Sequence, residues 1–317
     1  MSTKLIDASN LKKSFGDFVA VDNIDLTVNR GEVVGFLGPN GAGKSTTMKM
    51  LTGFLEPDSG KILINNIDLK SHPLPAKQLI GYLPEGAPSY SDMIVSDFLS
   101  FVGKMRGISD KITLKNRLEE MANQINLKDV WDRQIETLSK GFKRRVGIAQ
   151  ALIHDPDILI LDEPTDGLDP NQKHEMRNLI KTISKNKAIV ISTHILEEVE
   201  AVCSRAVIIA NGKLLANEKP KNLGKNLEDK NVLCVIVSSK LNSLISKKIK
   251  ADLKNENIKF ESEDKLSTKI LIQGDEKNLD LNKIITQLKK HKLNVVEASI
   301  IKPSLDEIFR KITQRKS

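Results

Sequence analysis

The run EVVGFLGPNGAGKSTTMKM, Glu32 to Met50, restricts the possible folds more than any other stretch of the 317-residue chain. Its first part, VVGFL, is short, apolar and β-branched, the pattern of a strand buried on both faces. GPNGAGKST follows at once, Gly38 to Thr46, and leads into an unbroken helical stretch. A buried strand that runs through a glycine-rich loop into a helix belongs to a parallel α/β sheet with crossover connections. The loop also fits the G-x-x-x-x-G-K-[ST] phosphate-binding pattern, in the strand-to-helix setting that pattern requires. Gly38, Gly41 and Gly43, with Pro39, Asn40 and Ala42 between them, let backbone N–H groups converge on phosphate oxygens, and the helix start adds partial positive charge. Lys44 supplies a point charge to the outer phosphates of a nucleotide, Ser45 offers a hydroxyl ligand for Mg²⁺, and Thr46 completes the loop.

A second buried run, ILILDEP from Ile158 to Pro164, ends in two adjacent carboxylates. Ligands of open α/β sheets bind outside the carboxyl ends of the strands, so both acids are placed to meet the phosphates. Asp162 is expected to hold Mg²⁺, directly or through water. Glu163 is expected to point toward the γ-phosphate and accept a proton from the attacking water. The bland alternative is acid capping of the following helix.

Residues 5 to 35 alternate apolar and polar positions and read as antiparallel strands, with turns at Gly16 and at Asn29 to Gly31. Residues 86 to 156 are helical in pattern, and one candidate helix has Ser96 as N-cap with Phe98, Leu99, Phe101, Val102 and Met105 on one face. After DILILDEP come a helix, the buried strand AIVISTH and another helix. Polar residues with Pro220 and Gly224 mark a linker around Asn217 to Lys225. Beyond it the order is strand, helix, two strands, helix and strand, the split βαβ, ferredoxin-like order. A last helix starts at Pro303, where Ser304 and Glu307 form a capping box. The expected domains are a nucleotide-binding unit over 1–217, with a helical subdomain over 86–156, and a small α+β accessory domain over 218–317.

The formal net charge of +8 lies beyond residue 217: 27 basic and 27 acidic residues precede that point, and 22 and 14 follow it. A lysine-rich solvated surface accounts for this, and attraction to anionic lipid or nucleic acid is the sharper alternative. No apolar run nears the roughly 20 residues of a membrane-spanning helix, and the start MSTKLIDASN has no apolar segment of a secretory signal. Cys203 and Cys234 have no metal-ligand spacing. A reduced, cytoplasmic setting is expected.

Five more stretches occur in a telling order: KSFGDFVAVD with Phe15, GYLPE ending at Glu85, LSKGFKRRV from Leu138, TDGLDP from Thr165, and STH ending at His194. Together with the two motifs above, they resemble the ATP-binding subunits of ABC transporters over about residues 4–217. The resemblance implies a P-loop ABC-type ATPase domain, with a mixed sheet and a helical subdomain, that hydrolyses ATP with Mg²⁺. It implies that Phe15 stacks on adenine, a core position being the alternative, that Glu85 stands at the metal in the Q-loop position, and that His194 is the switch histidine at the γ-phosphate rather than a structural histidine. LSKGF stands for the LSGGQ stretch, and Asp169 in the D-loop organises a dimer interface. A head-to-tail homodimer, or a pair with a like subunit, then buries two ATP molecules. Each is held by the phosphate loop of one partner and by Ser139 and the Gly141 backbone of the other, and hydrolysis opens the pair.

Three positions depart from the family pattern. Lys140 and Phe142 replace a glycine and a glutamine, while Ser139 and Gly141 are retained. Lys140 either adds charge at the γ-phosphate or faces solvent. Glu85 replaces a glutamine, and an ionised carboxylate binds metal through oxygen but cannot donate a hydrogen bond. The family also implies a separate multi-span membrane subunit, docked through Gly86 to Met105 with Tyr90, Met93 and Ile94 as exposed apolar contacts, and a position on the inner face of the cell membrane; local packing of the helical subdomain is the alternative for those three residues. PSLDEIF resembles the tail of ATP-binding subunits of two-component export systems, multidrug and gliding-motility types among them. The competing class is a soluble ABC ATPase acting on ribosomes or nucleic acid. Against it stand the single phosphate loop, the lack of a long coiled coil and the lack of RNP-type aromatics in the second domain, so no nucleic-acid partner is expected. A third reading makes the second domain a sensor of small ligands.

Overall fold

The computed structural model describes residues 3–87, 89–223, 231–239, 241, 243–253, 258–262, 267–274, 281–301 and 309. The alternating segment forms β1 (Lys4–Phe15) and β2 (Phe18–Asn29), paired antiparallel across the Gly16 turn. β3 (Val33–Leu37) follows with all five residues buried, then the glycine loop and α1 (Lys44–Leu51). Next come β4 (Ser59–Ile64), β5 (Ile67–Asp68), α2 (Pro73–Gln78) and β6 (Ile80–Leu83). The helical region holds α3 (Val95–Met105), α4 (Lys111–Gln124) and α5 (Lys140–Leu152). β7 (Ile158–Asp162), α6 (Pro170–Ile183), β8 (Ala188–Thr193) and α7 (Leu196–Val202) then lead to a hairpin of β9 (Arg205–Ala210) and β10 (Lys213–Glu218).

Two sheets result. One is antiparallel in the order β2-β1-β4-β5; the other runs β10-β9-β3-β8-β7-β6 and is parallel except where β10 returns along β9. Between them α1 buries Met48, Met50 and Leu51 in one cluster with Leu5 and Ile64 of the first sheet and Phe36 and Ile160 of the second. Each such side chain contributes about 1.5–3 kcal/mol relative to exposure. The helix that carries the phosphate loop is therefore anchored by its side chains while its N-terminus faces outward.

The sequence reading assigns no strands to β4, β5, β6, β9 and β10. Their runs are short, and their pairing comes from afar: Ile80 of β6 lies beside Ile158 of β7, and Val34 of β3 beside Arg205 of β9. Asn217 and Glu218, placed above in a linker, pair with Val207 and Ala206 in β10. The N-cap expected at Ser96 is also corrected. α3 starts at Val95 after Ile94, without a side-chain cap. The N–H groups of Val95 and Ser96 instead donate to the carbonyls of Arg133 and Trp131, at 3.1 and 3.0 Å. These satisfy the orphan donors that a serine would otherwise serve. Of its expected apolar face Phe98 and Leu99 are buried, whereas Phe101 and Met105 are exposed.

One half-buried histidine makes this fold sensitive to acid. His154 donates from Nε2 to Ile80 O at 3.2 Å, and its Nδ1 is buried without a hydrogen-bond partner. Burial, reinforced by the charge of Arg106, pushes its pKa down to about 4. The unfolded chain binds this proton near pH 6.5 and the folded chain does not. Stability present above that pH is thus lost as pH falls toward 4, by up to about 3 kcal/mol. Urea midpoints of the wild type should drop more steeply between pH 7 and 4.5 than those of His154→Gln, whose amide still donates to Ile80; parallel curves would remove His154 as the cause.

The described residues between Asn222 and Lys311 form a second compact unit. Its elements are β11 (Asn231–Val237), α8 (Ser243–Leu253), β12 (Ile258–Ser262), β13 (Thr268–Gly274), α9 (Leu281–Lys290) and β14 (Val295–Ile301). The antiparallel sheet has the order β12-β13-β11-β14, the interleaving of two split βαβ units. Leu233, Val235 and Val237 alternate inward against Ile249 of α8 and Ile284 and Leu288 of α9. The Ser304–Glu307 capping box lies outside the described residues.

Candidate active site

Strand register brings the site together. Leu37 at the end of β3 lies beside Thr193 of β8, and Asp162 at the end of β7 lies beside Ser192. The glycine loop, the two acids and His194 therefore leave the sheet at one carboxyl edge, where ligands of such sheets bind. A cleft of about 420 Å³ opens there, lined by Asn40, Gly41, Gly43, Lys44, Ser45 and Thr46, by Glu85, Glu163 and His194, and by Phe15.

The loop needs its glycines for steric reasons. Gly43 has φ +102°, and a Cβ there would meet Ala20 O at 2.3 Å. A Cβ on Gly38 would meet Ile209 O at 2.4 Å. Ala42 is buried, and its N–H closes the turn onto Pro39 O at 3.2 Å. Thr47 is the first residue of α1 whose N–H finds a helical acceptor, Gly43 O at 2.9 Å. The N–H groups of Lys44, Ser45 and Thr46 thus belong to the open first turn. Lys44 is buried, and its ammonium folds back to donate to Gly38 O at 2.8 Å and Pro39 O at 3.3 Å.

The ammonium of Lys44 also lies 3.7 Å from Glu163 Oε1. On the other oxygen, Glu163 Oε2 accepts from His194 Nδ1 at 3.0 Å. Burial pushes the Glu163 carboxyl above its usual range, against the opposing pull of His194 and Lys44. Its backbone is in the left-handed region at φ +48°, which costs a non-glycine residue about 1–3 kcal/mol and is characteristic of functional sites. Ser192 holds it there, accepting the Glu163 N–H at both O (3.1 Å) and Oγ (3.2 Å).

Ser45 Oγ lies 3.3 Å from Asp162 Oδ1, which also accepts from Ser192 Oγ. Glu85 is exposed at the rim. No cluster of three or more His, Cys, Asp or Glu side chains suited to a metal occurs among the described residues. A hydroxyl and one or two carboxylates beside a phosphate cradle are nonetheless the donor set for Mg²⁺ shared with substrate phosphates, so the residues present fit that ion.

Ser139 and Gly141 are not among the residues that line the cleft. Ser139 caps α5, accepting the Phe142 N–H at 3.4 Å, and Gly141 packs against Gln172, whose amide occupies the space of a Cβ at 2.8 Å. Lys140 is exposed, and Arg145 lies over the Phe142 ring at 5.7 Å. Asp169 caps α6 through Gln172 N–H at 2.9 Å.

Sequence reasoning missed three contributors. Phe18 faces Phe15 across the β1–β2 turn, and both rings are exposed at the cleft; an aromatic on each side of Gly16-Asp17 was the available signal. Asp166 lines the cleft as well. Ser192 acts through contacts between segments that have no local signature.

A family model described as ABC transporter matches residues 21–166. Over 245 residues the chain is 38% identical to the uncharacterized ABC transporter ATP-binding protein YxlF of Bacillus subtilis (strain 168), covering 77% of this chain and 80% of that protein. It is 31% identical over 312 residues to the linearmycin resistance ATP-binding protein LnrL of the same strain, covering 98% of this chain and 99% of that one. A solved ATP-binding subunit of an ABC transporter superposes with a TM-score of 0.63 at 29% identity, over 70% of this chain and 92% of that structure. On this geometry and these likenesses, the chain belongs to the ABC transporter family as an ATP-binding, ATP-hydrolysing subunit.

Proposed function

We propose that the chain drives an export system: two copies, or one copy and a like subunit, close on ATP at the inner face of the cell membrane and move separate multi-span subunits. One observation carries this reading. Lys44, Ser45, Asp162, Glu163 and His194 converge at a single cleft, while the anion-suited start of α5 with Ser139 and Gly141 stands outside it. A second copy turned head to tail supplies the missing wall. Export is supported by the resistance named for LnrL. No helix among the described residues is long and apolar enough to cross a membrane, and the reading gives that passage to the separate subunits.

In this mechanism Lys44 and the open first turn of α1 hold the outer phosphates of ATP, and Phe15 with Phe18 stacks on the adenine. Glu163 takes a proton from a water in line with the γ-phosphorus. The water oxygen bonds to phosphorus as the bond to the ADP oxygen breaks, giving ADP and inorganic phosphate. His194 donates from Nδ1 to the Glu163 carboxylate, and in its doubly protonated form also donates from Nε2 to a γ-phosphate oxygen. Ser45, Asp162 and Glu85 would hold Mg²⁺ together with the phosphates, and the ion would supply neutralisation of the charge that develops on the phosphoryl and leaving oxygens.

Docking to the membrane subunit falls to the stretch after Glu85. Tyr90 is 57% exposed and meets Phe98 and Phe101 edge-on, with ring centroids 6.1 and 5.8 Å apart. Exposed Phe101 and Met105 add apolar side chains to this stretch, whereas Met93 and Ile94, expected to be exposed, are half-buried. A photo-crosslinking amino acid at Tyr90 in living cells should capture a multi-span membrane protein. Capture of ribosomal proteins instead would overturn the reading.

A further inference from the structure

One buried carboxylate has no part in the mechanism so far. Glu198 lies on α7, four residues after His194, and is only 5% exposed. Its two oxygens serve different segments. Thr165 Oγ1 donates to Oε1, and Thr193 Oγ1 donates to Oε2 at 2.9 Å. Lys173 Nζ on α6 lies 3.9 Å from Oε1. Thr193 Oγ1 in turn accepts the Ile195 N–H at 3.1 Å, which fixes its hydrogen toward Glu198. A buried carboxylate is costly unless its lone pairs are matched, and an apolar residue would fill a helix-to-sheet contact without that cost. The carboxylate therefore needs a reason beyond packing.

The positions of its partners supply one. Thr165 is two residues past Glu163, and Thr193 immediately precedes His194. The β7–β8 ladder ends at the Asp162–Ser192 pair, so both segments leave the sheet just before their functional side chains. Glu198 ties them together beyond that point, where Glu163 and His194 meet at 3.0 Å.

We infer that Glu198 is a positioning residue for hydrolysis: its carboxylate clamps the segment bearing Glu163 to the segment bearing His194 at reactive separation. The inference rests on the reading above in which those two groups act at the γ-phosphate. Two acceptor oxygens are required because both threonines donate. Glutamine keeps the shape but sets an NH₂ against a hydroxyl that already accepts from Ile195.

Steady-state kinetics of the full chain test the clamp. Misplacement by about 1 Å costs about 10²-fold in rate, so Glu198→Gln and Thr193→Val should each lower kcat by about 10- to 100-fold. KM for ATP, and the affinity for a fluorescent ATP analogue measured without turnover, should stay within about twofold. Thr193→Ser, which restores the hydroxyl, should recover most of the rate. In a His194→Ala background Glu198→Gln should cost little more, because the contact it maintains is already gone. Loss of nucleotide affinity in step with kcat, or an undiminished effect in the His194→Ala background, makes Glu198 a packing element and overturns the inference. Should Glu198→Gln fail to fold by thermal melting, the Thr193→Val and Thr193→Ser pair decides alone. If Glu163→Gln and His194→Ala both turn over normally, the parent reading has failed. If they are inactive while Glu198→Gln and Thr193→Val run at wild-type rate, the clamp alone has failed.

Discussion

Glu163→Gln slows ATP hydrolysis by about 10²- to 10⁴-fold, the loss expected when a general base is removed, while ATP still binds and the loaded protein elutes as a dimer. The amide keeps the volume and can still meet His194, so the cradle around Lys44 and Ser45 is undisturbed. What disappears is a proton acceptor whose basicity burial has raised, a direction that brings a carboxylate nearer to working pH. The strained φ of +48° at this residue is kept by two hydrogen bonds from its own N–H to Ser192, and neither depends on the side chain. Radiolabelled phosphate release and size-exclusion chromatography check the two halves of the result. Release at the wild-type rate would take Glu163 out of the catalytic role.

Ser139→Arg has an equally large effect for a different reason. The substitution removes the α5 cap, at about 1 kcal/mol, and places a long side chain where a second copy must bring its γ-phosphate. Turnover should vanish while each isolated chain binds ATP as before, since Ser139 is not among the residues of its own cleft. Lys44→Ala should also be inactive, because the cleft loses its buried ammonium. Mixing the two inactive proteins gives the sharper outcome. In a two-fold symmetric pair the intact phosphate loop of one variant faces the intact α5 start of the other, so each mixed pair holds one whole site. With random pairing half the pairs are mixed, and activity should return to about a quarter of wild type. Mixtures as inactive as their components would show that Ser139 serves its own chain's nucleotide.

The parts of the site that were legible in the sequence are those set by neighbours along the chain. A positive φ at Gly43 and a buried five-residue strand before it are local requirements, and so are the carboxylates at the end of ILILD. Local pattern failed where a distant segment did the satisfying. Ser96 looked like a cap, yet the carbonyls of Trp131 and Arg133 take that place. β6 and β9 are too short to announce themselves, and they exist because β7 and β3 offer ladders to pair with.

The same division holds for the chemistry. By itself the sequence determined the phosphate loop, the acid pair, His194 and a second domain of ferredoxin-like order, because backbone geometry and side-chain period act over a few residues. Only the tertiary structure decided that Phe18 and Asp166 join the cleft, that Glu198 binds the segments of Glu163 and His194 together, and that Ser139 and Gly141 stand apart from the residues they resemble in purpose. Those outcomes depend on which strand ends lie side by side, and strand register is settled by burial of whole faces against one another rather than by any single stretch of residues.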